Sequence, residues 1–294
     1  MGVVIPGPQN DPSWSDNVQA ANHMIEEFGS RVKFSPPRLT KTQQRLIEQG
    51  LGGPTVAHPR RGPHLALSYG PSTGNGQKAP QMMRQDPKNR PIMEEVHKSC
   101  VFQRFARFMS CAFLGWAPSL FMYYTRTITT LLEKHQDLHL PFEKCVFTAF
   151  TINFGPRTVC YPHHDIKNLA FGWCAITALG DYDWKLGGHF VIWELKLVIE
   201  FPPGSTILIP SAMVCHSNTS IGADEKRYSF SMFTAGGLFR WVEHDFSPEK
   251  VYQQTCTRAQ AVLEGRERWQ SGLALFSNLA QLRENREVND ATKS

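Results

Sequence analysis

Arg227-Tyr228-Ser229-Phe230-Ser231-Met232-Phe233 reads as a β-strand with two unlike faces, because side chains two apart on a strand share a side. Arg227, Ser229, Ser231 and Phe233 fall on one face, and Tyr228, Phe230 and Met232 on the other. With Arg227 turned inward, Phe233 is inward as well, about 20 Å further along at roughly 3.3 Å per residue. Eleven residues before Arg227 stands His216, and His163-His164-Asp165 lies upstream, after the β-rich run Val146-Phe147-Thr148-Ala149-Phe150-Thr151-Ile152-Asn153-Phe154. On extended chain His163 and Asp165 face the same way and can share a metal. Two imidazoles and one carboxylate from separate strands occupy one face of an Fe(II) octahedron and leave three positions open. Such a site is catalytic rather than structural.

A second His-x-Asp exists, His135-Gln136-Asp137, with His189 at a similar distance downstream. With 11 His in 294 residues, about 0.4 such pairs arise by chance, so the pattern needs support from its surroundings. His135 and Asp137 close a run from Ser119 with helical periodicity, and residues two apart on a helix point in different directions. The eleventh residue after His189 is Glu200, where after His216 it is Arg227. A guanidinium there suits 2-oxoglutarate, which chelates iron through its keto-acid end and leaves a C5 carboxylate needing a bidentate partner. Ser229, on the same face, adds a hydroxyl. The expected metal ligands are therefore His163, Asp165 and His216, and the expected co-substrate anchors Arg227 and Ser229, with Fe(II), 2-oxoglutarate and O₂ as cofactors.

The flanking sequence is strand-rich. Trp173 to Leu179 and Phe190 to Phe201 are bounded by the turn signals Gly180-Asp181-Tyr182-Asp183 and Gly187-Gly188. In the second, Trp193, Leu195, Leu197, Ile199 and Phe201 alternate with Glu194, Lys196 and Glu200, which predicts one strand with a core face and a wet face. Pro203-Gly204-Ser205 turns the chain into Thr206-Ile207-Leu208-Ile209-Pro210, which delivers His216. Many short strands with Gly/Pro turns describe a jelly roll. Apolar positions at spacings of three and four from Pro91 to Asp137 predict two helices, broken at Gly115-Trp116-Ala117-Pro118-Ser119, that brace it.

The sequence divides into a mobile tail over 1–17, a basic arm over 18–90, a catalytic core over 91–246 and a helical extension over 247–294. Helices are expected over Asp16 to Phe28 and between Thr40 and Gly50. Seven scattered cysteines, never spaced as Cys-x-x-Cys, encode neither a disulfide framework nor a zinc knuckle and point to a reducing compartment. No run of 18 apolar residues is present, and no membrane span or secretion signal is expected. The net charge is +5, yet eleven Lys and Arg against two acids crowd into residues 30–90, a surface suited to phosphates.

The order His-x-Asp, His about 50 residues later, then Arg-x-Ser, resembles the Fe(II)/2-oxoglutarate-dependent dioxygenases, whose fold is the double-stranded β-helix. His163-His164-Asp165-Ile166-Lys167-Asn168, and the run from Phe171-Gly172-Trp173 to Gly236-Gly237-Leu238-Phe239-Arg240-Trp241, are similar to the TET/J-binding-like proteins, the 5-methylcytosine dioxygenases among them. The likeness covers about residues 145 to 245. It implies an α+β fold with a double-stranded β-helix core and flanking helices. It also implies oxidation of the methyl group of a base flipped out of double-stranded DNA, chiefly 5-methylcytosine to its hydroxymethyl, formyl and carboxyl forms, in the nucleus. In that family an aromatic at the offset of Phe233 stacks on the base and an asparagine matching Asn168 hydrogen-bonds it. A loop similar to Asn75-Gly76-Gln77-Lys78 touches DNA, which makes Asn75 and Lys78 candidate contacts. Where the family has a histidine two residues after the aromatic, this chain has Ala235, which leaves room for N6-methyladenine as a second substrate. The alternatives are a hydroxylase of a protein or small molecule with the same iron chemistry, and a non-catalytic binding module on the same barrel.

Overall fold

In the computed structural model the residues described are 2–8, 10–33, 60, 62, 64–74 and 77–284. The strands are β1 (Val3–Ile5), β2 (Ala66–Tyr69), β3 (Pro71–Ser72), β4 (Gln81–Met82), β5 (Ala149–Asn153), β6 (Cys174–Asp181), β7 (Phe190–Ile192), β8 (Leu197–Ile199), β9 (Thr206–Ile209), β10 (His216–Asn218) and β11 (Lys226–Phe233). The helices are α1 (Ser13–Arg31), α2 (Arg90–Lys98), α3 (Cys100–Trp116), α4 (Pro118–Lys134), α5 (Gly236–Glu243), α6 (Glu249–Thr255) and α7 (Arg258–Ala274). A six-stranded sheet runs β1-β9-β6-β11-β5-β2, a three-stranded one β10-β7-β8, and β3 pairs with β4. The paired strands are all antiparallel, so the fold mixes helices with antiparallel sheet.

The two faces of β11 decide the layering. Tyr228, Phe230 and Met232 are buried in a core shared with the helices, with Phe230 centred 5.3 Å from Phe102 and 5.7 Å from Phe150. On α3 the buried residues Phe102, Phe105, Ala106, Met109 and Phe113 recur at three and four, the stripe a helix needs to lie on a sheet. α4 opens with Pro118 in its first turn and buries Leu120, Tyr124, Ile128 and Leu131 in the same way. Helices thus cover one face of the large sheet, and the face bearing Arg227, Ser229, Ser231 and Phe233 is left to line a cavity.

Three expectations are corrected. The region 1–17, expected as a tail, holds β1, which pairs with β9 from Val3↔Leu208 to Ile5↔Thr206, and the start of α1. Trp14 there donates its indole N–H to the Gly204 carbonyl at 3.1 Å and is buried. Residues 190–201, expected as one strand, form the hairpin β7–β8. The turn between them has Lys196 at φ 52°, and Trp193 and Leu195 are 51% and 57% exposed. Period-two alternation is the same for a strand and for a hairpin of even length, so the pattern could not separate them. Three helices rather than two cover residues 90–134, because Ser99 takes an extended conformation, φ −65° and ψ 120°, between α2 and α3. The helix expected between Thr40 and Gly50 lies outside the described residues. Among the described residues no helix is long and apolar enough to cross a membrane.

α1 is fastened to the Arg227 end of β11. Glu26 Oε1 accepts hydrogen bonds from Lys226 Nζ at 2.9 Å and Tyr228 Oη at 2.7 Å, while Gly180 N–H donates to Asn22 Oδ1 at 2.9 Å. The bonds from Lys226 and then Tyr228 hold the Glu26 carboxyl below the ordinary carboxylate value. A depressed carboxyl contributes stability that is present above the unfolded value, about 4.3, and lost as pH falls through the folded value. Glu26→Gln is therefore expected to lower stability by no more than about 1 kcal/mol at neutral pH, since the pair is partly exposed. The gap between variant and wild type in denaturant unfolding closes as pH drops below the carboxylate range. A gap that is constant with pH shows that the ionised form contributes nothing.

Candidate active site

Residues 157–168 form a seam that touches each part of the site in turn. Thr158 N–H donates to the Arg227 carbonyl at 3.1 Å. Further on, His163 and His216 exchange both backbone hydrogen bonds, at 3.1 and 3.0 Å. Finally Asn168 bridges to Ala235. The paired backbones bring the two imidazoles together, with ring centroids 4.3 Å apart. His163 Nδ1 lies 2.7 Å from the Tyr161 carbonyl and His216 Nδ1 3.0 Å from that of Val214. A carbonyl can only accept, so both Nδ1 atoms carry the hydrogen and both Nε2 lone pairs are left for a cation. Asp165, held by its N–H to the Ser211 carbonyl at 2.9 Å, places Oδ1 3.6 Å from His163 Nε2 and Oδ2 3.7 Å from His216 Nε2. These separations exceed hydrogen-bond length, and the three donors converge on a shared point. Burial pushes the His216 imidazole below its ordinary value, against the pull of Asp165, and so favours the neutral form that ligates. Arg60 Nη1 lies 3.7 Å from Asp165 Oδ1 at the rim.

Behind the triad a cavity of about 600 Å³ runs along the open face of β11. Arg227 is 3% exposed at its inner end, donates from Nη1 to Thr158 Oγ1 at 2.9 Å, and keeps a buried Nε with no partner among the described residues. An unpaired buried donor costs roughly 1–3 kcal/mol, so this end of the cavity favours an anion. Asn153 Nδ2 donates to Ser229 Oγ at 2.8 Å, and this leaves the Ser229 hydrogen for a group in the cavity. Ser231, Thr151 and Ser68 continue the floor across β11, β5 and β2, with Ser68 Oγ 2.6 Å from Thr151 Oγ1. The donor set fits Fe(II), and Arg227 with Ser229 fits the far carboxylate of 2-oxoglutarate.

Phe233, half-buried, lines the other end of the cavity together with Asn168. Asn168 closes a turn on the metal-facing residue, its N–H bonding the Asp165 carbonyl at 2.9 Å, and its side-chain amide donates to Ser211 Oγ at 3.1 Å. Ala235 does not face the cavity. The strand ends at Phe233, and Ala235 is buried beside Leu131, Leu238 and Trp241, so the two-residue offset from Phe233 no longer means a shared face. The absent histidine there consequently says nothing about base choice. Lys78 is exposed outside the cavity lining, in the β3–β4 connection, whose Thr73 packs on Gly237. Asn75 lies outside the described residues. Thr158, Asn153 and Ser211, which orient Arg227, Ser229 and Asn168, carry no cue in the sequence, because only the folded register brings them alongside.

Among the described residues two sets of three His, Cys, Asp or Glu donors lie within 4.8 Å of one another: His163, Asp165 and His216, and also His164, Glu194 and Cys215. The rival pair belongs to neither. His135 ends α4 and its Nε2 accepts the Trp241 indole N–H at 2.9 Å.

No family model matches the chain, and no curated protein does. Solved structures that it resembles include NgTET1 in complex with 5mC DNA, at 13% identity over 80% of this chain and 72% of that one, with a TM-score of 0.45. A prolyl-4-hydroxylase of Pseudomonas putida is similar at 12% identity over 80% and 92%, with a TM-score of 0.35. An oxidoreductase of the 2OG-Fe(II) oxygenase family from Burkholderia pseudomallei is similar at 16% identity over 76% and 91%, with a TM-score of 0.33. At such distances the roles of residues rest on this chain's own geometry.

Proposed function

We propose that this chain is an Fe(II)- and 2-oxoglutarate-dependent dioxygenase that oxidises the methyl group of a methylated base in DNA, chiefly 5-methylcytosine, in the nucleus. The observation that carries the reading is the set of groups lining one cavity: a buried guanidinium with a hydroxyl, a two-histidine, one-carboxylate set, and an aromatic with an amide. On this reading the six-stranded and the three-stranded sheets are the halves of a double-stranded β-helix.

His163, Asp165 and His216 hold the iron, and Arg227 with Ser229 orients the co-substrate. When bound, iron and 2-oxoglutarate supply the oxidising power, O₂ being consumed as the methyl group gains a hydroxyl and 2-oxoglutarate becomes succinate and CO₂. The chain's remaining task is to hold the base and exclude water. Phe233 offers a π face to a flipped base and Asn168 an amide to its edge. The basic residues of 30–90 suit the flanking phosphates.

Mass spectrometry of nucleosides after incubation with iron, 2-oxoglutarate and methylated duplex is expected to show the oxidised base. Phe233→Ala is expected to weaken duplex oxidation by about 5- to 150-fold in kcat/KM, from roughly 1–3 kcal/mol of stacking. Asn168→Ala loses a comparable amount through an unpaired base edge, while 2-oxoglutarate binding is kept in both. Succinate formed without any oxidised base moves the substrate to a protein or small molecule, and unchanged rates in both variants place the base elsewhere.

A further inference from the structure

The bridge that carries the iron ligands has a second side. His163 and His216 are antiparallel partners, so one step along each strand puts His164 opposite Cys215. Successive side chains on extended chain point to opposite faces, and the pair therefore stands on the reverse of the bridge. Glu194, from the β7–β8 turn, completes the group. Both its carboxylate oxygens lie 2.8 Å from the Cys215 backbone N–H, and Oε1 is 3.2 Å from His164 Nε2. Imidazole nitrogen, carboxylate oxygen and thiol sulfur lie within 4.8 Å of one another.

We propose that His164, Glu194 and Cys215 form a second metal site, for a divalent cation that accepts sulfur, zinc above all. Nitrogen, oxygen and sulfur are the donors Zn(II) takes, and bonds of about 2.0–2.3 Å to a tetrahedral centre put ligands roughly 3.3–3.8 Å apart, a spacing that His164 and Glu194 already approach at 3.2 Å, with the sulfur within 4.8 Å of both. Half-exposed side chains leave the fourth position to water. The backbone N–H of Cys215 aims the carboxylate, as an outer partner does for a metal ligand. Binding breaks the thiol S–H bond and releases that proton to solvent, moves the imidazole hydrogen that faces Glu194 from Nε2 to Nδ1 of His164 so that the Nε2 lone pair is freed, and forms the metal–sulfur bond. The thiolate separates this site from the iron set, which has no sulfur. The cation cross-links the segments holding His163 and His216 from behind, in a place where only the antiparallel bridge brings the three donors together.

Cobalt(II) titration of the purified chain is expected to show two equivalents bound, one with a thiolate-to-cobalt charge-transfer band. Cys215→Ser is expected to lose that band and one equivalent, and Asp165→Ala to keep the band while losing the other. Zinc is expected to slow alkylation of Cys215 at least about tenfold, read by peptide mass spectrometry on wild type and on Asp165→Ala, while exposed Cys100 and Cys111 react unchanged. This second measurement needs no change at the site itself. A single equivalent in wild type, a band that survives Cys215→Ser, or alkylation of Cys215 indifferent to zinc overturns the proposal.

Discussion

Asp165→Ala is expected to lower succinate formation at least about a thousandfold, some 4 kcal/mol at roughly 1.36 kcal/mol per decade. Asp165 is the single anionic member of the triad, and its two oxygens each approach one imidazole, at 3.6 and 3.7 Å. Without it two neutral imidazoles remain, a poor match for a hard divalent cation that prefers oxygen. His216→Ala is expected to fall as far. His135→Ala and Asp137→Ala are expected to stay within about twofold of wild type, because the His135 ring serves Trp241. Its loss costs stability, about 1–3 kcal/mol for a buried donor left unpaired, and shows in the melting temperature instead. Equal loss of turnover from both pairs would mean that the wrong His-x-Asp has been assigned to the metal.

Arg227→Lys is expected to raise the KM for 2-oxoglutarate about 10- to 150-fold, with kcat at saturation much less affected. The guanidinium already spends Nη1 on Thr158 and still has a buried Nε to offer, so it can be held by the protein and grip a carboxylate at once. An ammonium is a compact point charge without that planar fork, and losing a charge-assisted bond costs roughly 1.5–3 kcal/mol. Isotope-dilution measurement of succinate across a co-substrate series gives both constants. An unchanged KM removes Arg227 from the co-substrate end of the cavity.

The parts of this site visible in the sequence are those set by strand parity. Arg227, Ser229, Ser231 and Phe233 needed only a period of two to be placed on one face, and His163 with Asp165 needed only extended chain. What stayed hidden depends on which strands meet. Asn153 is opposite Ser229 because β5 pairs with β11, and Thr158 reaches Arg227 because the chain turns back after β5. Parity also misled where the strand stopped, since Ala235 shares Phe233's phase but belongs to the cap of α5. Val3-Val4-Ile5 was too short a run to declare itself a strand before β9 was there to pair with it.

The seam over 157–168 also gives the molecule a way to report its own occupancy. The amides of His163, His216 and Asp165 are hydrogen-bonded across short, isolated pairings, at 3.1, 3.0 and 2.9 Å, rather than inside a long ladder. Pairings of that kind open on their own, well before the whole domain unfolds. A cation held by side chains of both strands must be released before they part, so its binding free energy adds to the cost of opening. Deuterium uptake at these three amides then becomes a gauge of metal loading that needs neither substrate nor turnover.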